Sequence, residues 1–242
     1  MTAHAMFDES QAASYDERFA RLAPMRDALH LVTQLALAEL PPGARVLCVG
    51  AGTGAELLHL AAAFPGWSFT AVDPSEPMLR RCRARVEAAG LSARCRFHEG
   101  TVETLPEEVG PFDGATALLV SQFLVDREAR RGFFRAIADR LRPGAPLVVA
   151  DLACPTPPGG LLELWERAWL FAGVHAEHVA RMRETFGAQV AVLPPNDVAA
   201  IIAAGGFEAP LQCYQSVLIH GWLARRDHGM GNGTVRSHPS PT

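Results

Sequence analysis

The chain has 242 residues, 49% of them hydrophobic, with a formal charge of −4 at pH 7. That length and apolar content suffice for one large α/β domain, and the acidic balance gives no general attraction to a phosphate backbone, so neither DNA nor tRNA is an expected partner. All 22 basic residues are arginines, which excludes a P-loop lysine, a pyridoxal Schiff base and a Tyr/Lys dehydrogenase pair.

The N-terminal stretch has no apolar signal core, and no apolar run approaches the ~18 residues of a membrane span. The five cysteines (Cys48, Cys82, Cys95, Cys154, Cys213) form no C-x-x-C pair and read as buried free thiols. These features predict a cytoplasmic protein without a membrane partner.

The stretches "SQAASYDERFARL" and "PMRDALHLVTQLALAEL" read as two N-terminal helices, the second burying Met25, Leu29, Val32 and Leu35 at helical spacing. Pro41, Pro42 and Gly43 end this pair. Apolar strands then alternate with helical patterns: "ARVLCVG", a helix from about Gly54 to Phe64, "SFTAVD", and a helix from Ser75 to Ala89 closed by Gly90. The strands "ARCRFHEG" and "FDGATALLV" follow, then a helix with Asp126 as its cap and Phe133, Phe134, Ile137 and Leu141 on one face. Pro143 and Gly144 stop it before "APLVVADLA". Residues 154–195, with Trp165, Trp169, Phe171, Met182 and Phe186, read as a helical insertion packed over the sheet. A short helix "NDVAAIIAAGGF" and two strands, "EAPLQCYQ" and "SVLIHGWLA", close a single domain over residues 1–225, and residues 226–242 read as a disordered tail. Alternation of this kind predicts βαβ units on a parallel sheet.

In "RVLCVGAGTGAELLHL" a strand ends in Gly50, Gly52 and Gly54 and opens into a helix, so that backbone can approach a nucleotide closely. Asp73, 19 residues after Gly54 at the end of the second strand, can accept hydrogen bonds from ribose hydroxyls. The loop alone fits a dinucleotide as well, because Ala55 satisfies the last position of G-x-G-x-x-G/A.

The loop together with "VDPSEPML", "HEGTVETLP" and "FDGATALLVSQFL" resembles the successive motifs of class I S-adenosylmethionine-dependent methyltransferases, over roughly residues 40–152. The closing strand pair resembles the antiparallel end of that fold. The resemblance implies a Rossmann-like seven-stranded, mostly parallel sheet with an antiparallel last strand, helices on both faces, N-terminal helices and a helical lid. It implies S-adenosylmethionine as cofactor and a small-molecule methyl acceptor, and it leaves room for a homodimer. Gly50, Gly52, Thr53 and Gly54 would lie beneath the methionine and ribose, Asp73 on the ribose hydroxyls, and Pro74, Ser75 and Met78 beside ribose and adenine. Thr101 and Val102 would border the adenine, and Ser121 and Gln122 would lie near the methionine and the transferable methyl. One departure stands out: the family usually has an acidic residue two places before its first glycine, where this chain has Cys48. A packed thiol, with water or a neighbouring group meeting the cofactor's ammonium, is the expectation.

Within the family, "FDESQAASYDERF" and "SQFLVDREARRGFFRAIADRLRPGAPLVVAD" resemble carboxy-S-adenosylmethionine synthase and its relatives, which implies an arginine holding an extra carboxylate; Arg183 lies in a comparable region. That reading and a catalytically silent S-adenosylmethionine-binding module are the alternatives. Methyl transfer from a sulfonium is an in-line displacement that needs alignment more than an acid or base. Candidate contacts to the acceptor are Tyr15, as a lid residue, and His175 and His178, three apart on one helical face; two histidines without a third ligand do not suggest a metal. Arg80, Arg81, Arg83, Arg85, Arg94 and Arg96 read as a solvated face, and Trp165, Trp169 and Phe171 as core or acceptor-pocket lining.

Overall fold

The computed structural model describes residues 20–156 and 158–228. The expected first helix lies mostly outside them; its described end, Ala20–Leu22, is a single 3-10 turn. Helix α1 (Ala23–Leu37) precedes β1 (Arg45–Val49), α2 (Ala55–Ala63), β2 (Ser68–Asp73), α3 (Glu76–Ala88), β3 (Cys95–Glu99) and β4 (Gly114–Leu118). Then come α4 (Arg127–Arg140), β5 (Pro146–Leu152), α5 (Leu161–Phe171), α6 (Ala176–Glu184), α7 (Pro195–Ala204), β6 (Leu211–Ser216) and β7 (Ile219–Arg225).

The seven strands form one sheet in the order β3-β2-β1-β4-β5-β7-β6. Strands β1 to β5 are parallel, and β7 runs antiparallel to both β5 and β6. Both faces are covered at β1, β2, β4 and β5, which is why these strands read as mostly apolar runs, whereas the edge strand β3 is only partly buried. Leu47 and Val49 of β1 point into the cluster with Phe134 and Ile137 of α4 and Ile202 of α7. Val46 and Cys48 point the other way, among Leu37 of α1, Leu57 and Leu60 of α2 and Cys82 of α3. Each such fully buried aliphatic side chain contributes about 1.5–3 kcal/mol. A third cluster joins Leu29 of α1 to Trp165 and Trp169 of α5 and Val179 of α6, so the insertion rests on the α1 side of the sheet.

Local signals account for several boundaries. Asp126 caps α4, its Oδ1 accepting from the Ala129 N–H at 2.8 Å, and Ser75 Oγ accepts from the Met78 N–H at the start of α3. Gly90 adopts a left-handed φ of 71° just past α3. One expectation is corrected. Helix α1 buries Leu29, His30, Thr33 and Leu37 and leaves Leu35 64% exposed, because its inward face is rotated to seat Thr33 and Leu37 against the sheet.

His30 faces His59 across the seam between α1 and α2, with ring centroids 5.5 Å apart. Burial first, then the neighbouring His59, lowers the His30 pKa to about 4, so the folded chain holds this imidazole neutral. The unfolded chain takes up a proton below about 6.5, and stability carried by the neutral ring is therefore lost as pH falls from about 6.5 towards 4. Urea unfolding of the wild type and His30→Leu at pH 7.5 and 4.5 should show the wild type losing roughly 2–3 kcal/mol more than the variant. Equal losses would mean that His30 takes up its proton in the fold.

Candidate functional site

The chain leaves β1 towards β2 on one side and returns in β4 on the other, so the sheet reverses direction between β1 and β4. Ligands of open α/β sheets bind in the crevice outside the strand ends at such a point. Four strand ends bring the expected residues to that edge: Gly50–Gly54 after β1, Asp73–Met78 at the end of β2, Thr101 and Val102 after β3, and Ser121 and Gln122 after β4.

The three glycines of the loop have left-handed φ values of 66°, 53° and 81°, a region costly for other residues. Their surroundings differ. A Cβ on Gly50 would lie 2.3 Å from Val120 Cγ2, and one on Gly54 2.5 Å from Cys82 Sγ, whereas one on Gly52 would meet nothing within 4 Å. Gly50 and Gly54 therefore serve the packing of the segment after β4 and of α3 against the loop, and Gly52 presents bare backbone to the crevice.

Asp73 organises this loop. Its Oδ2 accepts from the Gly52 N–H and its Oδ1 from the Ser75 N–H, both at 2.8 Å. The side chain is buried, and desolvation raises its pKa while the two backbone N–H groups oppose the rise. Each carboxylate oxygen keeps a lone pair after these bonds, enough to accept a hydroxyl. Arg85, expected on a solvated face, reaches back from α3 to donate to Thr53 O and Oγ1, each at 3.1 Å. Arg94 likewise donates to the carbonyls of Ala61, Phe64, Pro65 and Trp67, closing the C-terminal end of α2. Thr101 begins a capping box with Thr104, whose Oγ1 meets His98 Nε2 at 2.9 Å, and Val102 is buried beneath it.

A second network supports the exit of β4. Arg130, fully buried in α4, donates from Nε to Ser121 Oγ at 2.8 Å and from Nη2 to Asp151 Oδ2 at 3.0 Å. Asp151, at the end of β5, also accepts from the Ser121 hydroxyl and from the Gln122 N–H at 2.9 Å. Gln122 then accepts from the Leu152 N–H through Oε1 and from the Ala191 N–H through its carbonyl, both at 2.7 Å. Burial raises the Asp151 pKa and Arg130 opposes that rise. Neither Arg130 nor Asp151 carried a sequence signal beyond its place at a helix start or strand end.

The remaining candidates fall elsewhere. Tyr15 lies outside the described residues. His175 and His178 are both exposed at the start of α6, with ring centroids 6.4 Å apart, and no group of three or more potential metal ligands occurs among the described residues. Trp165 and Trp169 pack edge to face at 5.5 Å within the core under the insertion, while Phe171 is 69% exposed. Arg183 pairs with Glu166 of α5 at 3.1 Å. All five cysteines are free, and all but the half-buried Cys213 are buried. No helix among the described residues is long and apolar enough to cross a membrane.

Residues 46–144 match the model of a methyltransferase domain. The chain is 29% identical to demethylmenaquinone methyltransferase of Thermus thermophilus over 209 residues, covering 78% of this chain and 90% of that protein. It is 26% identical to carboxy-S-adenosyl-L-methionine synthase of Dichelobacter nodosus over 224 residues, covering 90% and 91%. Among solved structures it superposes on an O-methyltransferase family protein from Burkholderia thailandensis with a TM-score of 0.68 at 15% identity, over 92% of this chain and 61% of that one. The strand order, the glycine loop at the reversal point and the domain match over residues 46–144 together make this chain similar to S-adenosylmethionine-dependent methyltransferases.

Proposed function

We propose that the chain transfers the methyl group of S-adenosylmethionine to a small organic acceptor by in-line displacement. The observation that carries this reading is the pairing of Gly52's bare, open backbone with the buried Asp73 carboxyl in the crevice at the sheet's reversal point. The bound sulfonium supplies a methyl that is already activated for displacement. The chain's own work is then to hold and align. Gly50, Gly52, Thr53 and Gly54 form the floor beneath the methionine and ribose, and Asp73 accepts from the ribose hydroxyls. Pro74, Ser75 and Met78 flank ribose and adenine, Thr101 and Val102 border the adenine, and Ser121 and Gln122 face the methyl end. Alignment to about 3 Å and exclusion of water carry most of the rate, so no acid or base is obligatory. The names of similar proteins, a demethylmenaquinone methyltransferase and fungal O-methyltransferases among them, support an organic acceptor of modest size.

A second reading has its own support, because the similarity to carboxy-S-adenosyl-L-methionine synthase runs along nearly the whole of both chains. Against it, Arg183 is engaged with Glu166. Mass spectrometry of co-purifying ligands separates the two: S-adenosylmethionine or its demethylated product supports methyl transfer, and a carboxylated donor supports the synthase.

Isothermal titration with S-adenosylmethionine, S-adenosylhomocysteine and NAD tests the donor reading itself. Binding of the two sulfur compounds is expected, and binding of NAD alone would overturn it. Asp73→Ala should weaken binding of both sulfur compounds by about 1–3 kcal/mol through lost hydrogen bonds. Unchanged affinity in a folded variant would remove Asp73 from the site.

A further inference from the structure

The thiol of Cys48 stands where an acid is expected, yet the space around it is not without a carboxyl. Glu56, in the first turn of α2 directly after the glycine loop, is buried and folds back beneath that loop. Thr116 of β4, the register partner of Cys48, donates its hydroxyl to Glu56 Oε1, and the Cys48 thiol donates to the same carboxyl. The acid has thus moved from the strand to the helix while its carboxyl stays at the level of residue 48.

Among the described residues this carboxyl has no counter-charge. The groups that bear on it are the thiol of Cys48 from β1 and the hydroxyl of Thr116 from β4, with the thiol of Cys82 from α3 at longer range. His59 of α2 turns instead to His30 of α1, and Arg85 of α3 is spent on Thr53. No cationic side chain among the described residues pairs with Glu56. Burial, outweighing both hydrogen bonds, raises its pKa to about 7. A buried acid without a cation either keeps its proton or waits for a cation from outside.

Resting on the donor reading above, we propose that Glu56 is the displaced acid of the donor site: it yields its proton to solvent when the cationic amino-acid end of the cofactor settles over the glycine loop, and its carboxylate then balances that charge. Glu56 is a positioning residue for the donor, and ligand binding is linked to its ionisation.

Titration of S-adenosylhomocysteine, whose ammonium stays charged across the range, at pH 5.5 and 7.5 in two buffers of different ionisation enthalpy, reads this linkage. The wild type should release close to one proton per site at the lower pH, and its affinity should rise roughly tenfold or more between the two values. Methylthioadenosine, which lacks the amino-acid end, should bind with no proton release. Glu56→Gln keeps the size and hydrogen bonds of the side chain and should abolish both the proton release and the pH dependence. Adding Cys48→Asp to Glu56→Gln should restore tight binding of S-adenosylhomocysteine. Binding by the wild type without proton release, or equal release by a folded Glu56→Gln variant, overturns the role of Glu56 and leaves the donor reading intact. Failure of every sulfur compound to bind overturns both.

Discussion

Replacing Arg130 by alanine is expected to lower the free energy of unfolding by about 3–5 kcal/mol, the usual cost of removing one member of a buried ion pair. The guanidinium and the Asp151 carboxyl are both 0% exposed, so truncation leaves a buried carboxylate without its cation and strips Ser121 Oγ of a donor. The same change removes the cation that opposes desolvation of Asp151, so its carboxyl should keep a proton to higher pH. Asp151→Asn added to Arg130→Met should recover part of the loss, because an uncharged pair of similar volume leaves no bare charge behind. Urea denaturation of the three proteins checks this. A loss under about 1 kcal/mol for Arg130→Ala would show that water replaces the guanidinium.

Gly50 and Gly52 should respond in opposite ways to the same added methyl group. Gly50→Ala places a Cβ 2.3 Å from Val120 in a left-handed conformation, so strain of about 1–2 kcal/mol adds to overpacking of about 1–3 kcal/mol. Val120→Ala should relieve the second part and leave the first. Gly52→Ala carries the conformational strain alone, since nothing lies within 4 Å of its added carbon, and its main effect should fall on ligand affinity. Thermal unfolding and titration with S-adenosylhomocysteine separate the two variants. A Gly52→Ala protein that binds as well as the wild type would show that the donor does not lie against this backbone.

Much of the framework was legible because its signals are local. The central strands of the parallel sheet are buried on both faces and so appear as apolar runs; caps such as Asp126 and stops such as Gly90 act within a few residues. The inward face of α1 was less so. Apolar spacing suggested Leu35, but the helix turns polar Thr33 and His30 inward, a choice made by the sheet and α2 rather than by α1 itself. Arg85 and Arg94 lay in a run of charge that signals exposure, and they reach oxygens distant in sequence, Arg85 both oxygens of Thr53 and Arg94 the carbonyls at the end of α2. Glu56 was hidden for a related reason. An acid in a first helical turn reads as a partner for the helix dipole, and Thr116, 60 residues later, helps draw it into the interior.

The insertion between β5 and α7 leaves and rejoins the sheet at one seam: Ala153 bridges Leu193, Cys154 N–H bonds to Leu193 O, and Ala191 N–H bonds to Gln122 O. In the function proposed above, the acceptor side hangs from that seam, and the residues assigned to the donor lie on the sheet side of it. A lineage can therefore exchange the hanging part, or lengthen it, without rebuilding the grip. What such a chain methylates is free to drift while the way it holds a methyl donor stays constant.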